Sequence, residues 1–229
     1  MDFVKFWPRR HQAITRAFVL FAGCVAPVVP ALSQDDASGD QGAGLELVER
    51  FVSDVEDLTA GFQQNVYDAD GSLLHDLSGA GQFLLLRPDR FAWYYETPYE
   101  YQVIADGESL WTYDVDVEQI TVSPLSDIAE SPAMLLSGEG SVSENFSVRD
   151  VASIDGREWI ELVPKTEDSE FVSARIAFRD GLPEALELVD GLSQVTRIEF
   201  SDIEINSGLR RREFDFDPPR GVDVIGGED

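Results

Sequence analysis

The segment from Arg87 to Val122 constrains the fold of this chain more than any other. Aromatic and β-branched side chains alternate there with polar ones, and turn residues interrupt the alternation at short intervals. This pattern predicts consecutive antiparallel strands of one curved sheet. The predicted strands are Phe91–Glu96, Tyr101–Ala105, Ser109–Val115 and Glu118–Val122. The predicted breaks are Thr97-Pro98, Asp106-Gly107 and Asp116-Val117, of which Asp-Gly is the strongest hairpin signal.

Both faces of this predicted sheet carry apolar side chains, which is more than a sheet with one solvated face requires. Trp93, Tyr95, Trp111 and Tyr113 belong to this excess. Either other elements cover both faces, or one face lines a cavity for an apolar ligand.

The composition is that of a folded and very acidic protein. Hydrophobic residues make up 43% of the 229 positions, which is enough for the core of one large β domain. The formal charge is −27, and it becomes −30 without the segment before Gln34, which carries four basic residues and one acid. Such a surface repels phosphate backbones and argues against nucleic-acid binding. It fits a partner with a basic patch, or simply high solubility or a salt-adapted source.

The N-terminus has the pattern of an export signal. Basic residues precede the apolar run Ala17–Ala26, and Ala31-Leu32-Ser33 offers small residues at the two positions that a signal peptidase reads. We therefore expect residues 1–33 to be a cleaved signal peptide that directs the chain to the periplasm. A competing hypothesis uses Phe21-Ala22-Gly23-Cys24 as a lipidation signal, with Cys24 as the mature N-terminus. Cleavage after Ser33 would leave a mature chain without cysteine.

Beyond residues 34–44, a flexible acidic leader, the pattern predicts a single domain over residues 45–229. An amphipathic helix is predicted by apolar residues at helical spacing: Leu45, Val48, Phe51, Val52, Val55 and Leu58. Strands are predicted at Phe62–Tyr67 and Leu73–Leu86. The insertion Ser123–Gly138 has two short helix-like pieces that must pack on the sheet, because neither is stable alone.

Strand patterns resume after the insertion. They cover Phe146–Val148, Glu158–Pro164, Val172–Arg179, Glu184–Val189 and Gln194–Phe200, and Asp202–Asn206 extends the last strand. The tail Phe214–Val224 keeps two inward-type phenylalanines, and its end could add a further strand. The expected fold is mainly β with α: a single half-barrel of antiparallel strands that is covered by the N-terminal helix and the helical insertion.

Short motifs in a specific order make the chain resemble the LolA family of periplasmic lipoprotein carriers. The motifs run from the first helix to the tail: Phe62-Gln63-Gln64, Ser78-Gly79, Gly81, Arg87-Pro88, Phe91-Ala92-Trp93, Pro98, Ile104-Ala105-Asp106-Gly107, Leu110-Trp111-Thr112-Tyr113-Asp114, Gln119-Ile120-Thr121-Val122 and Ser131-Pro132-Ala133-Met134-Leu135-Leu136. The resemblance implies an unclosed antiparallel β half-barrel of about eleven strands, with an N-terminal helix and a short helical lid over a hydrophobic cavity.

The resemblance also implies a function. Such carriers accept lipoproteins from an inner-membrane LolCDE-type ABC transporter, shield their acyl chains and deliver them to an outer-membrane LolB-type receptor. No catalysis and no cofactor are expected, and we expect a monomer. One alternative is a lipid-anchored receptor of the same fold, which would need lipidation of Cys24. Another is a sensory domain of an anti-sigma regulator.

By resemblance, the arginine of the Arg-Pro motif, Arg87, holds the lid shut through backbone carbonyls of the lid. Without the resemblance, a solvated strand-end arginine is the simpler interpretation. The predicted cavity residues are Phe91, Trp93, Tyr95, Val103 and Trp111 on the strands, and Ile128, Met134, Leu135 and Leu136 on the lid. A filled core remains the alternative for each of them.

Sites of other kinds have little support in the sequence. Asp68-Ala69-Asp70-Gly71 resembles the start of a calcium loop, but Gly79 stands where the bidentate glutamate should be. A serine triad would depend on His75, the only histidine after residue 33, and no G-x-S-x-G elbow accompanies it. The cluster Arg210-Arg211-Arg212 is interpreted as a solvated edge that could touch an acidic partner.

Overall fold

The computed structural model describes residues 42–125, 136, 142–151, 153–166, 169 and 171–226. The predicted signal peptide, Cys24 and three of the four predicted lid residues, Ile128, Met134 and Leu135, lie outside these ranges. In the described part, one helix is followed by one large sheet, which confirms the expected half-barrel fold.

The helices are α1 (Ala43–Asp54) and α2 (Val142–Asn145). The first six strands are β1 (Asp57–Tyr67), β2 (Gly79–Leu86), β3 (Arg90–Thr97), β4 (Tyr101–Asp106), β5 (Ser109–Asp114) and β6 (Gln119–Pro124). The other six are β7 (Phe146–Asp150), β8 (Glu158–Pro164), β9 (Phe171–Arg179), β10 (Leu182–Asp190), β11 (Val195–Ile205) and β12 (Asp223–Gly226). Single 3₁₀ turns occupy His75–Leu77 and Arg211–Phe214.

The strand order is β12-β6-β5-β4-β3-β2-β1-β11-β10-β9-β8-β7. Neighbouring strands are antiparallel except β12, which pairs in parallel with β6. The long pairing of β1 with β11 joins the two ends of the domain's sequence at the centre of the sheet. The sheet therefore curves without closing, and β12 and β7 form its two edges.

Helix α1 covers the inner face of the sheet. Its apolar stripe places Val48 and Phe51 in the main core, where both are at most 4% exposed. Residues from β1 to β5 and from β7 to β11 also belong to that core, among them Phe62, Phe83 and Ile176. The inner face is thus the larger hydrophobic surface, and the helix buries part of it.

The outer face carries a second, smaller core beneath the C-terminal tail. Phe214 of the 3₁₀ turn is fully buried against Leu86, Ala92 and Ile104. The tail then continues into β12, so the notion of an additional strand after Pro219 is confirmed. Both faces of the β2–β5 region are therefore covered, which explains why its sequence is apolar on both faces.

Three predicted element boundaries are wrong by more than two residues: the end of the helix, the start of β1 at Asp57 instead of Phe62, and the start of β2. Helix α1 ends at Asp54, and Leu58, which was assigned to the helix, lies in β1. Leu58 satisfies the helical spacing from Phe51 and also the strand alternation with Ala60, so the periodicity could not separate the two. Strand β2 begins at Gly79, because a 3₁₀ turn occupies the first part of the predicted strand Leu73–Leu86.

Candidate functional site

Arg87 lies directly after β2 and contacts two separate parts of the chain, the end of α1 and Leu136. Its Nε donates to the carbonyl oxygen of Val55 at 2.7 Å, and its Nη1 donates to the carbonyl oxygen of Leu136. Its backbone N–H donates to the carbonyl oxygen of Glu56 at 2.9 Å. The side chain thereby links the end of β2 to the end of α1 and to the segment around Leu136.

The Arg87 guanidinium also packs on an aromatic ring. Its Cζ lies 4.8 Å from the centroid of the Phe51 ring on α1, a cation–π geometry. Burial lowers the pKa of Arg87 to about 10, so the group is still a cation at neutral pH. Its Nη2 is buried without a hydrogen-bond partner among the described residues. Such a buried cation depends on its present acceptors, and moving either carbonyl away would be costly.

The inner face of the sheet near Arg87 is apolar. Phe91 of β3 is 1% exposed, and its cross-strand partners Leu85 and Ala105 are fully buried. Two residues along β3, Trp93 lies against Phe83 with ring centroids 4.2 Å apart. Aromatic and aliphatic carbons therefore form a continuous surface that begins beneath the Arg87 contacts.

Little empty space remains on this apolar surface. A narrow gap of about 210 Å³ in total lies between the helix, the sheet and Leu136. Its lining consists of Phe51, Leu58, Phe83, Leu85, Leu136, Pro183, Phe200 and Ile203. This space includes open solvent and has no room for a whole water molecule, so a long apolar ligand could enter only if some of these side chains moved.

The other end of the inner face is polar. The Tyr95 hydroxyl donates to Gln64 Oε1 at 3.0 Å, and Gln64 Nε2 donates to the carbonyl oxygen of Leu77 at 3.0 Å. Tyr101, beside Tyr95 on β4, is in hydrogen-bond contact with Thr112. Burial raises the pKa of both tyrosines, that of Tyr101 to about 12. Both phenols therefore keep their protons at physiological pH.

Five of the predicted cavity residues meet in one core on the inner face: Phe91, Trp93, Tyr95, Val103 and Leu136. Whether they line a cavity for a ligand remains a prediction. The placement of Trp111 was wrong, since it lies on the outer face against Phe216, with ring centroids 5.4 Å apart. Thr112 takes the inward position on β5, opposite Val103.

Several inner-face residues were not predicted as part of the site. These residues are Phe51, Phe62, Phe83 and Phe200, and they lie on elements outside the Arg87–Val122 segment. All of the strand residues that were predicted to line the cavity lie inside that segment. Phe51 and Phe62 were recognised as helix and strand residues, but the sequence offered no signal that they share a surface with Trp93.

The described part of the chain was also expected to lack a metal site. No cluster of three or more potential metal ligands occurs there. The resemblance of Asp68 to a calcium ligand is explained by a turn, because its Oδ1 accepts from the backbone N–H groups of Asp70 and Ser72. Within the same ranges, no helix has the length and apolar character needed to cross a membrane.

The sequence matches characterised proteins over most of its length. Residues 53–217 match the family described as outer membrane lipoprotein carrier protein LolA. The outer-membrane lipoprotein carrier protein of Methylobacillus flagellatus is 38% identical over 184 residues, which cover 80% of this chain and 89% of that protein. The protein of the same name from Nitrosospira multiformis is 38% identical over 190 residues, with coverage of 82% and 91%.

A solved structure supports the fold. An uncharacterized conserved protein from Thermus thermophilus superposes with a TM-score of 0.51 at 11% identity, covering 79% of this chain and 96% of that one. The structural similarity supports the fold alone, whereas the sequence matches cover most of the chain at 38% identity and support membership of a family. The chain belongs to the LolA family of outer membrane lipoprotein carrier proteins.

Proposed function

We propose that this protein is a periplasmic carrier that takes lipoproteins from an inner-membrane LolCDE-type ABC transporter and delivers them to an outer-membrane LolB-type receptor. The inner face of the half-barrel would shield the acyl chains during transit. The observation that carries this proposal is Arg87, which donates hydrogen bonds to Val55 at the end of α1 and to Leu136 beside the apolar inner face. In this proposal α1 and the Leu136 segment act as the cover, and Arg87 is its latch.

The energetics of acyl chains explain why a carrier is needed. Each methylene group transferred from an apolar site into water costs about 0.8 kcal/mol, so releasing long chains costs tens of kcal/mol. Spontaneous escape from the inner membrane would be far too slow, and the transporter must drive that step. The carrier then needs only moderate affinity, since it must give up its cargo to a receptor that binds it better.

A latch provides that moderate affinity. The contacts of Arg87 with Val55 and Leu136 exist in the closed form, in which the apolar face has no room for an acyl chain. Cargo must open the cover and lose these contacts, so their free energy is subtracted from the binding energy of the acyl chains. When the cargo leaves, the contacts form again and favour its release.

A release assay tests the proposal. The purified domain from residue 34 onwards is added to inner-membrane vesicles that hold the transporter, ATP and a labelled triacylated lipoprotein. We expect labelled lipoprotein in the soluble fraction as a one-to-one complex with the domain. If the label stays in the vesicles while a known carrier extracts it in parallel, the carrier function is wrong.

The same preparation separates the carrier from the receptor alternative. A receptor would withdraw lipoprotein from an already loaded carrier without extracting it from the vesicles. It would also require lipidated Cys24 as the mature N-terminus, which mass spectrometry of the protein exported from its host would show.

A further inference from the structure

Aromatic rings form a continuous strip along the inner face and end in two hydroxyl groups. The strip begins at Phe83 and Trp93, continues through Phe62, whose centroid lies 4.8 Å from that of Trp93, and reaches Tyr95 at 4.9 Å from Phe62. Tyr101 follows, with its ring centroid 6.0 Å from that of Tyr95. The strip thus has rings without hydroxyl groups at the Phe83 end and rings with hydroxyl groups at the Tyr101 end.

Burial changes in the same direction. Along β3, Phe91 is 1% exposed and Trp93 is 7% exposed, whereas Tyr95 is partly exposed and Thr97 is exposed. Successive inward residues of a strand are roughly 7 Å apart, so Phe91 and Tyr95 are separated by roughly 14 Å. The apolar end is therefore deep, beneath Leu136 and the Arg87 contacts. The tyrosine end lies nearer the solvent, although burial still raises the pKa of both hydroxyl groups.

We propose that Tyr95, Tyr101 and Gln64 form a subsite for the ester carbonyl groups of the acylated cargo. This inference rests on the proposed carrier function and adds the orientation of the cargo. The acyl tails run from this subsite past Trp93 towards Phe91 and the gap under Leu136. The polar end of the lipid, with its attached polypeptide, lies at the solvent-facing end.

The chemistry of the subsite suits ester groups. An ester carbonyl accepts hydrogen bonds and has no donor, and it must leave water when the chain enters the inner face. The phenols of Tyr95 and Tyr101 and the amide of Gln64 can all donate. In the closed form Tyr95 donates to Gln64 and Tyr101 contacts Thr112, so these groups stay satisfied until cargo replaces the internal partners.

Matched lipopeptides test the subsite. One probe is a cysteinyl peptide carrying a glyceryl group with two palmitoyl esters, and the other carries two hexadecyl ethers, which lack the carbonyl oxygens. The affinity of each is measured through the fluorescence of Trp93 in a variant carrying Trp111→Phe and Trp159→Phe. We expect the wild-type inner face to prefer the ester probe.

The readout is the ratio of the two affinities, because effects on the cargo-free protein cancel in it. Tyr95→Phe and Tyr101→Phe should each reduce the preference for the ester by about threefold to tenfold, as expected for one neutral hydrogen bond. Tyr94→Phe is the matched control, since Tyr94 neighbours Tyr95 on β3 but packs on the outer face. An unchanged ratio in both inner-face variants would overturn the subsite.

The orientation has its own test. A reporter variant with Phe91→Trp and no other tryptophan after residue 33 is loaded with ester probe carrying a nitroxide near the carbonyl or near the chain end. Stronger quenching by the chain-end label supports the proposed direction, and stronger quenching by the label near the carbonyl contradicts it. If the wild type binds neither the ester nor the ether probe, the carrier function itself fails, which is a different result from lost discrimination.

Discussion

The guanidinium group of Arg87 lies 4.8 Å from the centroid of the Phe51 ring, so the charged group that follows β2 rests on the apolar face of α1. The same group donates to Val55 in the turn that ends the helix. Helix and arginine therefore hold each other in place, and displacing either one disturbs the other. In the proposed carrier we infer that this cover over the inner face has two positions, whose equilibrium the binding of cargo shifts.

The first prediction concerns Arg87→Leu. The substitution removes the charge-assisted hydrogen bonds of the closed form, which are worth about 1.5–3 kcal/mol each. Because cargo no longer has to break them, the affinity for an acyl probe should rise by about tenfold or more. The variant should still accept lipoprotein from the transporter but pass it inefficiently to the receptor. Transfer is measured as labelled lipoprotein that moves from the loaded variant to the receptor over time.

Arg149→Leu is the control for this experiment. Arg149 lies at the β7 edge with 67% of its side chain exposed, and it pairs only loosely with Glu161 at 3.6 Å. Its loss removes one positive charge without touching the cover, so transfer should be unchanged. Normal transfer by Arg87→Leu would rule out the latch.

The strands could be predicted from the sequence because alternation and Asp-Gly turns are local signals. The side chains that point to the inner face of each strand were harder to predict, as the error at Trp111 shows. The loop between β4 and β5 has two residues, so Val103 pairs with Thr112 and the inward positions change from odd to even numbers. Between β3 and β4 the loop has three residues, and Trp93 pairs with Val103 without such a change. Counting the loop residues would have placed Trp111 outside.

The contacts of the site depend on residues far apart in the chain. Arg87 donates to backbone carbonyl groups 32 and 49 positions away in the chain. Because every residue has a backbone carbonyl, the sequence does not indicate which of them will accept the hydrogen bond. The resemblance supplied the role of Arg87 and directed attention to the lid. It did not suggest the contact with Val55 at the end of α1, which only the packing of helix on sheet brings about.

The second prediction concerns Asp57, a buried carboxylate at the start of β1. It accepts hydrogen bonds from the backbone N–H and the hydroxyl of Ser207 at 2.8 and 2.9 Å, and from the N–H of Gly208 at 3.0 Å. In Asp57→Asn an amide group would face one of these donors. We expect a loss of about 2–3 kcal/mol in the free energy of unfolding, measured with urea. Asp54→Asn, on an exposed residue nearby, should change it by less than about 0.5 kcal/mol, and equal losses would contradict this role of Asp57.

The third prediction concerns acid stability and Asp106. Partial burial would raise the pKa of its carboxyl, but hydrogen bonds from Ser109, Trp111 and Glu108 and the nearby Arg90 outweigh it and hold the pKa below its usual value. A folded-state pKa below the unfolded value of about 3.9 stabilises the fold above that pH. The contribution is lost as the pH falls through the lower, folded-state pKa.

Asp106→Asn measures this contribution. The variant should unfold more easily than the wild type at pH 7, and the difference should shrink as the pH falls below about 4, because the wild-type carboxylate is then protonated. Urea unfolding at several pH values between 3 and 7 provides the comparison. Asp116→Asn, on an exposed turn residue, is the control for the many other acids of this chain. A difference that stays constant down to pH 3 would show that the Asp106 carboxylate does not titrate as described.

The last prediction separates the two parts of the C-terminal tail. Phe214 is fully buried in the outer core, and its truncation in Phe214→Ala should cost about 3–5 kcal/mol in the free energy of unfolding. All four residues of β12 are exposed, so removal of residues 220–229 takes away one edge pairing and should cost less, about 1–2 kcal/mol. Both are measured by urea unfolding, with the slope checked for a change in the surface exposed on unfolding. Equal losses for the truncation and for Phe214→Ala would contradict the assignment of β12 to a solvent-exposed edge.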